Sequence, residues 1–565
     1  MRLRWCVAFG CLAAATTSCS EMRGFPTDTL SGSDASTQDV QNDLATPMDV
    51  AMDQVTPPED SAPGEDAVGQ DAVVRPDVAI GPVDEVIRLP GAAMNADTLF
   101  ADPPVAGVPA PTIVYPTSGT VIPPNLTGLE YHLRGPSGVQ LFELSFVGRN
   151  GRVRVYSTCT AVADGCVVSL TDEAMGHMAN ASIGGELAVS VRARTSAGAG
   201  MAATGRLGMS SNEMRGGVYY WSSAGAIMRY EFGLPGARRE AFLQGDPINC
   251  VGCHALSRDG TRMSVGRGIP GPAVSSTYDV MSRMTVGGNY GSNFGTFSPD
   301  NAKLLTSNGA TLTVVDTMTG MAVSGFPTGT QGTQPDWSPD GANIVFSLPA
   351  MPPPLGFGQP GHNAPANLML MAYNSGTGRF GSTRVLVSAM GENNYYPSIA
   401  PDSSWVLFNR SSGGSYDAPD AQLWAVSTTH APVRLQAADG TGDLGNSWPR
   451  WSPFRDTYDG TTLYWLTFSS RRDYGLRLRN QSMARDNQKV QLWMAGFRLD
   501  RSEMRLDPST PAFWLPFQAL NAGNHIAQWT AQIRRRTCTA DTECAPGERC
   551  VPLATVGGSR CVGGG

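Results

Sequence analysis

The chain has 565 residues, more than a single hydrophobic core usually holds, so two or three domains are expected. It carries 41 Lys+Arg against 49 Asp+Glu, a formal charge of −8, without the basic cluster that marks a nucleic-acid-binding protein. Its 65 Gly and 41 Pro favour turn-rich β structure over helices. Beyond the N-terminal segment, no apolar run approaches the roughly 18 residues that span a bilayer, which argues against a multipass membrane protein.

Residues 1–19 have the pattern of an export signal. Arg2 and Arg4 precede an apolar stretch, Trp5–Ala15, and small residues then lead to Cys19. This order resembles the signal of bacterial lipoproteins, which implies that Cys19 becomes the lipid-bearing first residue and tethers the protein to the outer membrane. The alternative is an ordinary cleaved signal and a soluble periplasmic protein.

Residues 20–105 are expected to form a disordered acidic tether. Positions 20–90 hold 15 Asp+Glu and three Arg, a local charge of −12. Such segments lack the apolar density that offsets the entropy of ordering, and their like charges keep the chain extended. We expect no role for the tether beyond spacing.

Residues 106–208 are expected to form an immunoglobulin-like β-sandwich. Leu141–Phe146 and Glu186–Arg194 alternate apolar and polar side chains with the period of two that half-buried strands show. About seven such strands in a hundred residues are typical of a sandwich. Cys159 and Cys166 flank a short loop and are expected to pair.

Residues 213–535 contain a repeated signature followed each time by an apolar strand. Its second position recurs at 257, 298, 338, 400 and 452, with spacings of 41, 40, 62 and 52 residues. A turn and strand with a period near forty residues predict the blades of a β-propeller. The signatures are Leu256–Gly260, Phe297–Asp300, Trp337–Gly341, Ile399–Asp402 and Trp451–Pro453.

The Trp-Ser-Pro-Asp-Gly signature, with Phe468–Asp473 and Gln491–Trp493 after it, resembles the periplasmic propeller of the TolB family across residues 213–535. The resemblance implies six WD40-like blades. A sixth signature is expected at Ala527–Thr530, and Gly217–Trp221 is expected to close the ring with the last blade. The N-terminal domain of TolB is of a different kind, so the fold is implied but the TolB role in the Tol–Pal system is not.

Residues 536–565 form the C-terminal segment, and four cysteines lie close together within it. They allow two disulfides in three connectivities and predict a small stapled knob. These cysteines are Cys538, Cys544, Cys550 and Cys561.

Cys250-Val-Gly-Cys253-His254 is the one motif that carries a specific chemistry. In an exported chain, Cys-x-x-Cys-His predicts covalent attachment of a c-type haem, in which two thiols bind the vinyl groups and the histidine is the proximal iron ligand. The alternatives are a Cys250–Cys253 disulfide beside an unrelated histidine, or a partial zinc site without the remaining ligands of a closed one.

The register of the repeats locates this motif. His254 aligns with the proline that recurs in later signatures, and we expect that position near the mouth of the central channel. His525 lies four residues before Trp529, on a sixth blade that adjoins the first, and is the first candidate for a sixth iron ligand. Met263 is the second candidate, and a five-coordinate iron is the alternative.

Two functions are therefore predicted from the sequence. The first is a cell-envelope lipoprotein whose propeller carries one haem c for electron transfer or sensing. The second is a haem-free scaffold in the periplasm that binds an envelope protein or a cell-wall component. An enzyme is a third hypothesis without support, because no Gly-x-Ser-x-Gly, phosphate-loop or His-Glu-x-x-His motif occurs.

Overall fold

The computed structural model describes residues 82–563, apart from short segments at 235–237, 246–250, 268–273, 309–310, 328, 351–364, 416–417, 504–505, 545–547 and 553–557. The predicted signal peptide, Cys19, most of the predicted tether and Cys250 lie outside the described residues. The described chain is nearly all β. A β-sandwich, a six-bladed propeller and a disulfide-rich knob follow one another, which confirms the predicted fold class.

The sandwich consists of two sheets whose facing side chains form one apolar core. The first sheet has the strand order β1-β6-β5-β9-β10-β3 and the second has the order β2-β4-β8-β7. The strands are β1 (Val83–Arg88), β2 (Thr112–Tyr115), β3 (Thr120–Ile122), β4 (Glu130–Arg134), β5 (Leu141–Gly148), β6 (Gly151–Ser157), β7 (Thr160–Val162), β8 (Gly165–Ser169), β9 (Gly185–Thr195) and β10 (Gly198–Met209).

Strand β1 corrects the prediction of a disordered tether through residue 105. It pairs in parallel with β6 at the edge of the first sheet. Asp84 lies 3.3 Å from the guanidinium of Arg152 and 3.4 Å from that of Arg154. Acidic residues that locally resemble a linker are therefore paired with basic residues of a distant strand, which the local composition does not reveal.

A helix, α1 (Asp172–Ser182), connects β8 to β9 and was not predicted. The hydroxyl of Thr171 accepts a hydrogen bond from the N–H of Ala174 at 3.2 Å and caps its first turn. Met175 and Met178 are buried in the sandwich core. The predicted disulfide between Cys159 and Cys166 is confirmed.

Six blades form the propeller, and the pairing of Ala366 with Asn393 joins the third and fourth blades into one eight-stranded sheet. Strands β11 (Gly217–Ser222), β12 (Ala226–Glu231) and β13 (Glu240–Gln244) come first in the chain but belong to the sixth blade. The first blade comprises β14 (Val251–Leu256), β15 (Arg262–Arg267), β16 (Val274–Asp279) and β17 (Thr285–Gly291), and the second comprises β18 (Phe294–Phe297), β19 (Lys303–Ser307) and β20 (Leu312–Asp316). The third blade comprises β21 (Thr333–Trp337), β22 (Asn343–Pro349), β23 (Ala366–Asn374) and β24 (Arg379–Val387), and the fourth comprises β25 (Asn393–Ile399), β26 (Trp405–Ser411), β27 (Gln422–Ser427) and β28 (Val433–Arg434), followed by α2 (Gln436–Asp439). The fifth blade comprises β29 (Ser447–Tyr458), β30 (Thr461–Ser470), β31 (Gln491–Arg498), α3 (Leu499–Glu503) and β32 (Phe513–Trp514).

The sixth blade closes the ring. Its innermost strand, β33 (Asn524–Thr530), pairs antiparallel with β11, so the two ends of the propeller segment share one sheet. The indole N–H of Trp221 on β11 donates to the carbonyl of Val251 on β14 at 3.0 Å, which joins the sixth blade to the first. This pairing is the ring closure that the sequence predicts for Gly217–Trp221.

The repeated signature forms the turn that leaves each innermost strand. In the first blade the Ser257 hydroxyl donates to Asp259 at 2.7 Å and accepts from the N–H of Arg262 at 2.8 Å. Ser338 and Asp340 make the same pair in the third blade, and Gly341 has a φ of 73°. The Ser-x-Asp-Gly pattern is thus turn chemistry rather than a catalytic constellation.

The sandwich is fixed to the fifth blade by a polar cluster. Glu130 on β4 accepts hydrogen bonds from Arg477 at 2.6 and 2.7 Å and from the hydroxyl of Tyr474 at 2.8 Å. Nδ1 of His132 accepts from the N–H of Leu476 at 3.0 Å. Its Nε2 therefore carries the proton and donates to Glu130 at 3.1 Å.

Replacing Glu130 with glutamine is expected to cost about 2–4 kcal/mol of unfolding free energy at neutral pH. Burial raises the pKa of Glu130, but hydrogen bonds from His132 and Arg477 outweigh burial and hold the pKa well below 4.5. The ionised carboxylate of Glu130 therefore stabilises the fold above pH 4.5. This stabilisation is lost as the pH falls from 4.5 towards the lowered pKa of Glu130 in the folded protein. Urea unfolding at pH 7 and pH 3 checks this result.

The exposed pair of Glu186 with Arg206, 3.7 Å apart, provides the matched control. Glu186→Gln is expected to change the unfolding free energy by less than about 1 kcal/mol at either pH. A Glu130→Gln penalty as large at pH 3 as at pH 7 would show that the carboxylate charge is not what stabilises the junction.

The knob adds a three-stranded sheet of β34 (Thr537–Cys538), β35 (Glu548–Pro552) and β36 (Ser559–Gly563). Cys538 pairs with Cys550 and Cys544 with Cys561, one of the three connectivities that the sequence allows. Two disulfides in so short a segment supply the stability that its small core cannot.

Candidate functional site at the first-blade motif

The motif lies at a bulge that recurs on the innermost strands of the propeller. Cys253 adopts a φ of 45° at a break in the β14–β15 register, and His254 follows it. A non-glycine residue with positive φ occupies the same position in four other blades. These residues are Gln334 (φ 54°), Tyr396 (φ 50°), Trp448 (φ 55°) and Ile526 (φ 57°).

Side chains from the preceding blade hold three of these bulges in place. The N–H of Tyr396 donates to Gln334 Oε1 at 2.9 Å. The N–H of Trp448 donates to Asn409 Oδ1 at 3.0 Å, and that of Ile526 to Ser469 Oγ at 3.3 Å. The backbone at these positions is therefore set by contacts between blades, which no local sequence pattern encodes.

Aromatic side chains at this level close the central channel. The rings of Tyr396 and Trp448 stack with centroids 3.7 Å apart, and Phe294 of the second blade lies 5.9 and 5.6 Å from them. Ile526 packs against the same cluster. Because these residues come from the innermost strands of four blades, they meet on the axis. We call Phe294, Tyr396, Trp448 and Ile526 the axial plug.

His254 lies in the seam between the first and sixth blades. Its imidazole is 4% exposed, and Nε2 is 3.5 Å from the carbonyl oxygen of Tyr219 on β11. Nδ1 is buried and has no hydrogen-bond partner among the described residues. Burial lowers the pKa of His254 to about 4, so the imidazole is neutral at physiological pH.

This location differs from the predicted channel mouth. Pro335, Pro397 and Pro449 follow the bulged residues inside their strands, where proline is tolerated because the bulge interrupts the hydrogen-bond ladder. His254 occupies the equivalent place in the first blade. It is consequently a buried seam residue rather than a rim residue.

The two candidate sixth ligands have different surroundings. His525 is buried on β33, with Nδ1 2.6 Å from the hydroxyl of Ser469 and its ring edge-on to Trp448. Burial, with smaller contributions from the charges of Arg471 and His254, lowers the pKa of His525 to about 3. Met263 is fully buried in the apolar layer that also holds Leu256. His525, the first candidate, and His254 lie on the neighbouring innermost strands β33 and β14.

Cys253 is unpaired. The other six cysteines of the described segments form three disulfides. The Cys253 side chain is exposed at the bulge, where its thiol is accessible from solvent. Because Cys250 lies outside the described residues, the disulfide alternative for the motif stays a prediction.

The donor chemistry of this site suits a c-type haem. The chain presents an accessible free thiol, a neutral imidazole whose Nδ1 is an orphaned buried atom, and a second neutral imidazole nearby. The burial of His254 means that its Nε2 must leave the Tyr219 carbonyl before it can face an iron. The chemistry fits, and access requires the seam to open locally.

A charged layer beside the plug was not predicted from the sequence. Arg450 donates to the carbonyl of Pro397 at 3.1 Å, and its charge also acts to lower the pKa of His254. Asp336 lies 3.7 Å from Arg258 and accepts from the N–H of Ile399 at 2.7 Å. The sequence pattern that could have indicated this layer is a charged residue directly before the tryptophan of a signature. Asp336 stands in this position in the third blade and Arg450 in the fifth.

Comparison with known proteins finds remote likenesses to solved structures. No family model and no curated protein matches the chain. Similar solved structures include TolB from Acinetobacter baumannii (13% identity, 62% of this chain and 91% of that chain, TM-score 0.25) and the C-terminal WD40 domain of Sif2 (12%, 62% and 93%, TM-score 0.29). Hydrazine synthase from Kuenenia stuttgartiensis is also similar (12%, 47% and 66%, TM-score 0.30).

The propeller assignment rests on the sheet topology rather than on these distant likenesses. This chain matches 66% of the length of the hydrazine synthase chain. Within the described segments, none of the helices combines the length and apolar character needed to cross a membrane.

Proposed function

We propose that the chain is an envelope-tethered propeller scaffold that binds a protein partner and carries one covalent c-type haem in its first blade. The observation that carries the haem is the Cys250-Val-Gly-Cys253-His254 motif together with the unpaired state of Cys253. The lipoprotein-like signal before Cys19 supports attachment to the outer membrane, and the TolB-like repeats support a periplasmic location.

In this proposal, Cys250 and Cys253 hold the group covalently and His254 is the proximal ligand. A bound c-type haem supplies one-electron transfer or the sensing of a small ligand. Burial keeps His254 unprotonated, which is the form that binds metal. His525, whose Nδ1 lies 2.6 Å from the hydroxyl of Ser469, would be the first candidate for the sixth iron ligand.

A haem-free scaffold is the second candidate. The axial plug favours it, because the channel is filled by protein side chains at the level of the motif. In this alternative His254 serves only to pack the seam between the first and sixth blades.

The two candidates predict opposite spectra. The mature chain without its lipid-bearing Cys19, residues 20–565, is expressed with a periplasmic signal in a host with a cytochrome c maturation system, denatured and examined as its reduced pyridine complex. We expect a c-type haem band that survives denaturation and disappears in the Cys250→Ala/Cys253→Ala variant. The Cys159→Ala/Cys166→Ala variant removes the other short-range cysteine pair and is expected to keep the band. A colourless folded protein would support the haem-free scaffold.

A further inference from the structure

Two turns on neighbouring blades share the sequence Asp-x-Met-Ser/Thr-x-Met and one conformation. In the first blade Asp279 Oδ1 accepts from the Ser282 hydroxyl at 2.9 Å, and in the second blade Asp316 Oδ1 accepts from the Thr319 hydroxyl at 2.9 Å. Each turn leaves two methionines exposed. These are Met281 (50%), Met284 (66%), Met318 (56%) and Met321 (70%), which we call the methionine strip.

The two turns are neighbours. Gly287 and Gly288 of β17 lie directly against the second turn, because a Cβ built at Gly287 would come within 2.4 Å of the Thr317 carbonyl oxygen. A Cβ built at Gly288 would come within 2.2 Å of the carbonyl oxygen of Thr319. The two glycines thus allow the first blade to pack on the second turn, and the four methionines lie along one side of the propeller.

A recess rich in arginine adjoins this strip where the first blade, the sixth blade and the knob meet. Its volume is about 30 Å³, which is room for one small polar group. Five guanidinium groups and one carboxylate line it, and Met281 connects it to the methionine strip. The arginine pocket is formed by Arg229, Arg283, Arg534, Arg535, Arg536 and Glu548.

Positive charge remains after the ion pairs of the pocket are counted. Arg229 contacts Glu240 at 3.1 Å and Glu548 at 3.0 Å, and Arg283 also contacts Glu548. Arg535 contacts Glu231 at 2.7 Å and also Glu240. Three carboxylates therefore face five arginines. Arg229 is 2% exposed, and its Nε is a buried donor without a partner among the described residues. Burial and the charge of Arg229 also lower the pKa of Arg283.

An anionic oxygen would satisfy this surplus of donors, and guanidinium groups recognise carboxylates with high geometric specificity. Methionine side chains are flexible and polarizable, so a methionine surface adapts to apolar side chains of varied shape. A ligand that carries a carboxylate beside apolar side chains would bind both the arginine pocket and the methionine strip. An inorganic anion would bind only the pocket.

We propose that the arginine pocket and the methionine strip form a docking surface for an acidic peptide segment of a partner protein. A carboxylate of the segment enters the pocket, and its apolar side chains lie on Met281 and Met284. This inference deepens the protein-binding part of the proposed function and does not depend on the haem.

Fluorescence anisotropy with the mature chain tests it. The probe is a labelled twelve-residue peptide that alternates Asp and Leu, and its Asn-Leu counterpart lacks the carboxylates. We expect the Asp-Leu peptide to bind at least about tenfold more tightly, a difference of roughly 1.4 kcal/mol. Arg536→Gln and Met284→Gln are each expected to weaken its binding about three- to tenfold.

The variants have matched controls and limited structural cost. Arg536 is exposed and donates to the carbonyl of Glu543, so its loss leaves the buried ion pairs intact. Arg384→Gln and Met390→Gln change exposed residues elsewhere on the propeller and are expected to leave binding unchanged. Circular dichroism checks that all four variants fold.

Equal binding of the two peptides, or equal losses in test and control variants, would overturn the docking surface. Competition by inorganic phosphate with no effect of Met284→Gln would also overturn it, because the pocket would then be an inorganic-anion site. The pyridine spectrum of the same variants separates the two proposals, since none of these substitutions touches the haem motif.

Discussion

Glu240→Ala is expected to lower the free energy of unfolding by about 3–5 kcal/mol, because it removes the carboxylate that two buried arginines share. Arg229 lies 3.1 Å from Glu240, and Arg535 contacts the other carboxylate oxygen. All three side chains are buried. Without Glu240 the two largely buried guanidinium groups would repel each other, with only Glu548 and Glu231 left as their partners.

The same carboxylate ties the knob to the propeller. Oε2 of Glu240 accepts a hydrogen bond from the N–H of Gly563 at 2.7 Å, and Glu548 of the knob contacts Arg229. Burial raises the pKa of Glu240, but the charges of Arg229 and Arg535 outweigh burial and lower it. The stabilisation is therefore present above the pKa of an ordinary glutamate and is lost in acid.

Guanidinium unfolding followed by tryptophan fluorescence measures this effect. Glu173→Ala, at an exposed position in the first turn of α1, is the matched control and is expected to change stability by less than about 0.5 kcal/mol. A loss below about 1 kcal/mol in Glu240→Ala would mean that Arg229 and Arg535 find water or other partners. Glu240 would then not be the residue that fixes the knob to the propeller.

Trp448→Ala is expected to cost about 3–5 kcal/mol, because the indole fills the centre of the axial plug. Its ring stacks on Tyr396 at 3.7 Å and contacts Phe294 and the edge of His525. Removing it leaves a cavity lined by aromatic side chains from several blades, which cannot all collapse inwards.

Trp448→Phe keeps an aromatic ring at the same place and is expected to cost less than half as much. Thermal unfolding of both variants gives the comparison. Equal losses in the two variants would indicate that the left-handed backbone at position 448, rather than filling of the channel, determines the effect.

Turn chemistry explains why the blades were predictable. The side chains of Ser257 and Asp259 make their hydrogen bonds within a few residues of the chain, so the same residue types recur wherever the same turn forms. Ring closure was predictable for a related reason, because Gly217–Trp221 is an apolar strand without a signature of its own and needs a partner.

Long-range contacts explain what the sequence did not reveal. Strand β1 depends on Arg152 and Arg154, more than sixty residues away. The bulge at Trp448 depends on Asn409 of the preceding blade, and neither residue belongs to a recognisable motif. For the site, the register of the repeats placed His254 and His525 on adjoining blades, and the structure has them on the neighbouring strands β14 and β33. The sequence predicted an open rim, however, where the structure has a buried seam.

The central claim is that the first blade carries a covalent haem, and the intact mass of the denatured chain tests it most directly. Produced with a cytochrome c maturation system, the protein is expected to be heavier than its polypeptide by one haem, and the Cys250→Ala/Cys253→Ala variant to have the polypeptide mass alone. A mature protein with the bare polypeptide mass and an alkylatable Cys253 thiol would contradict the claim and leave a haem-free propeller scaffold.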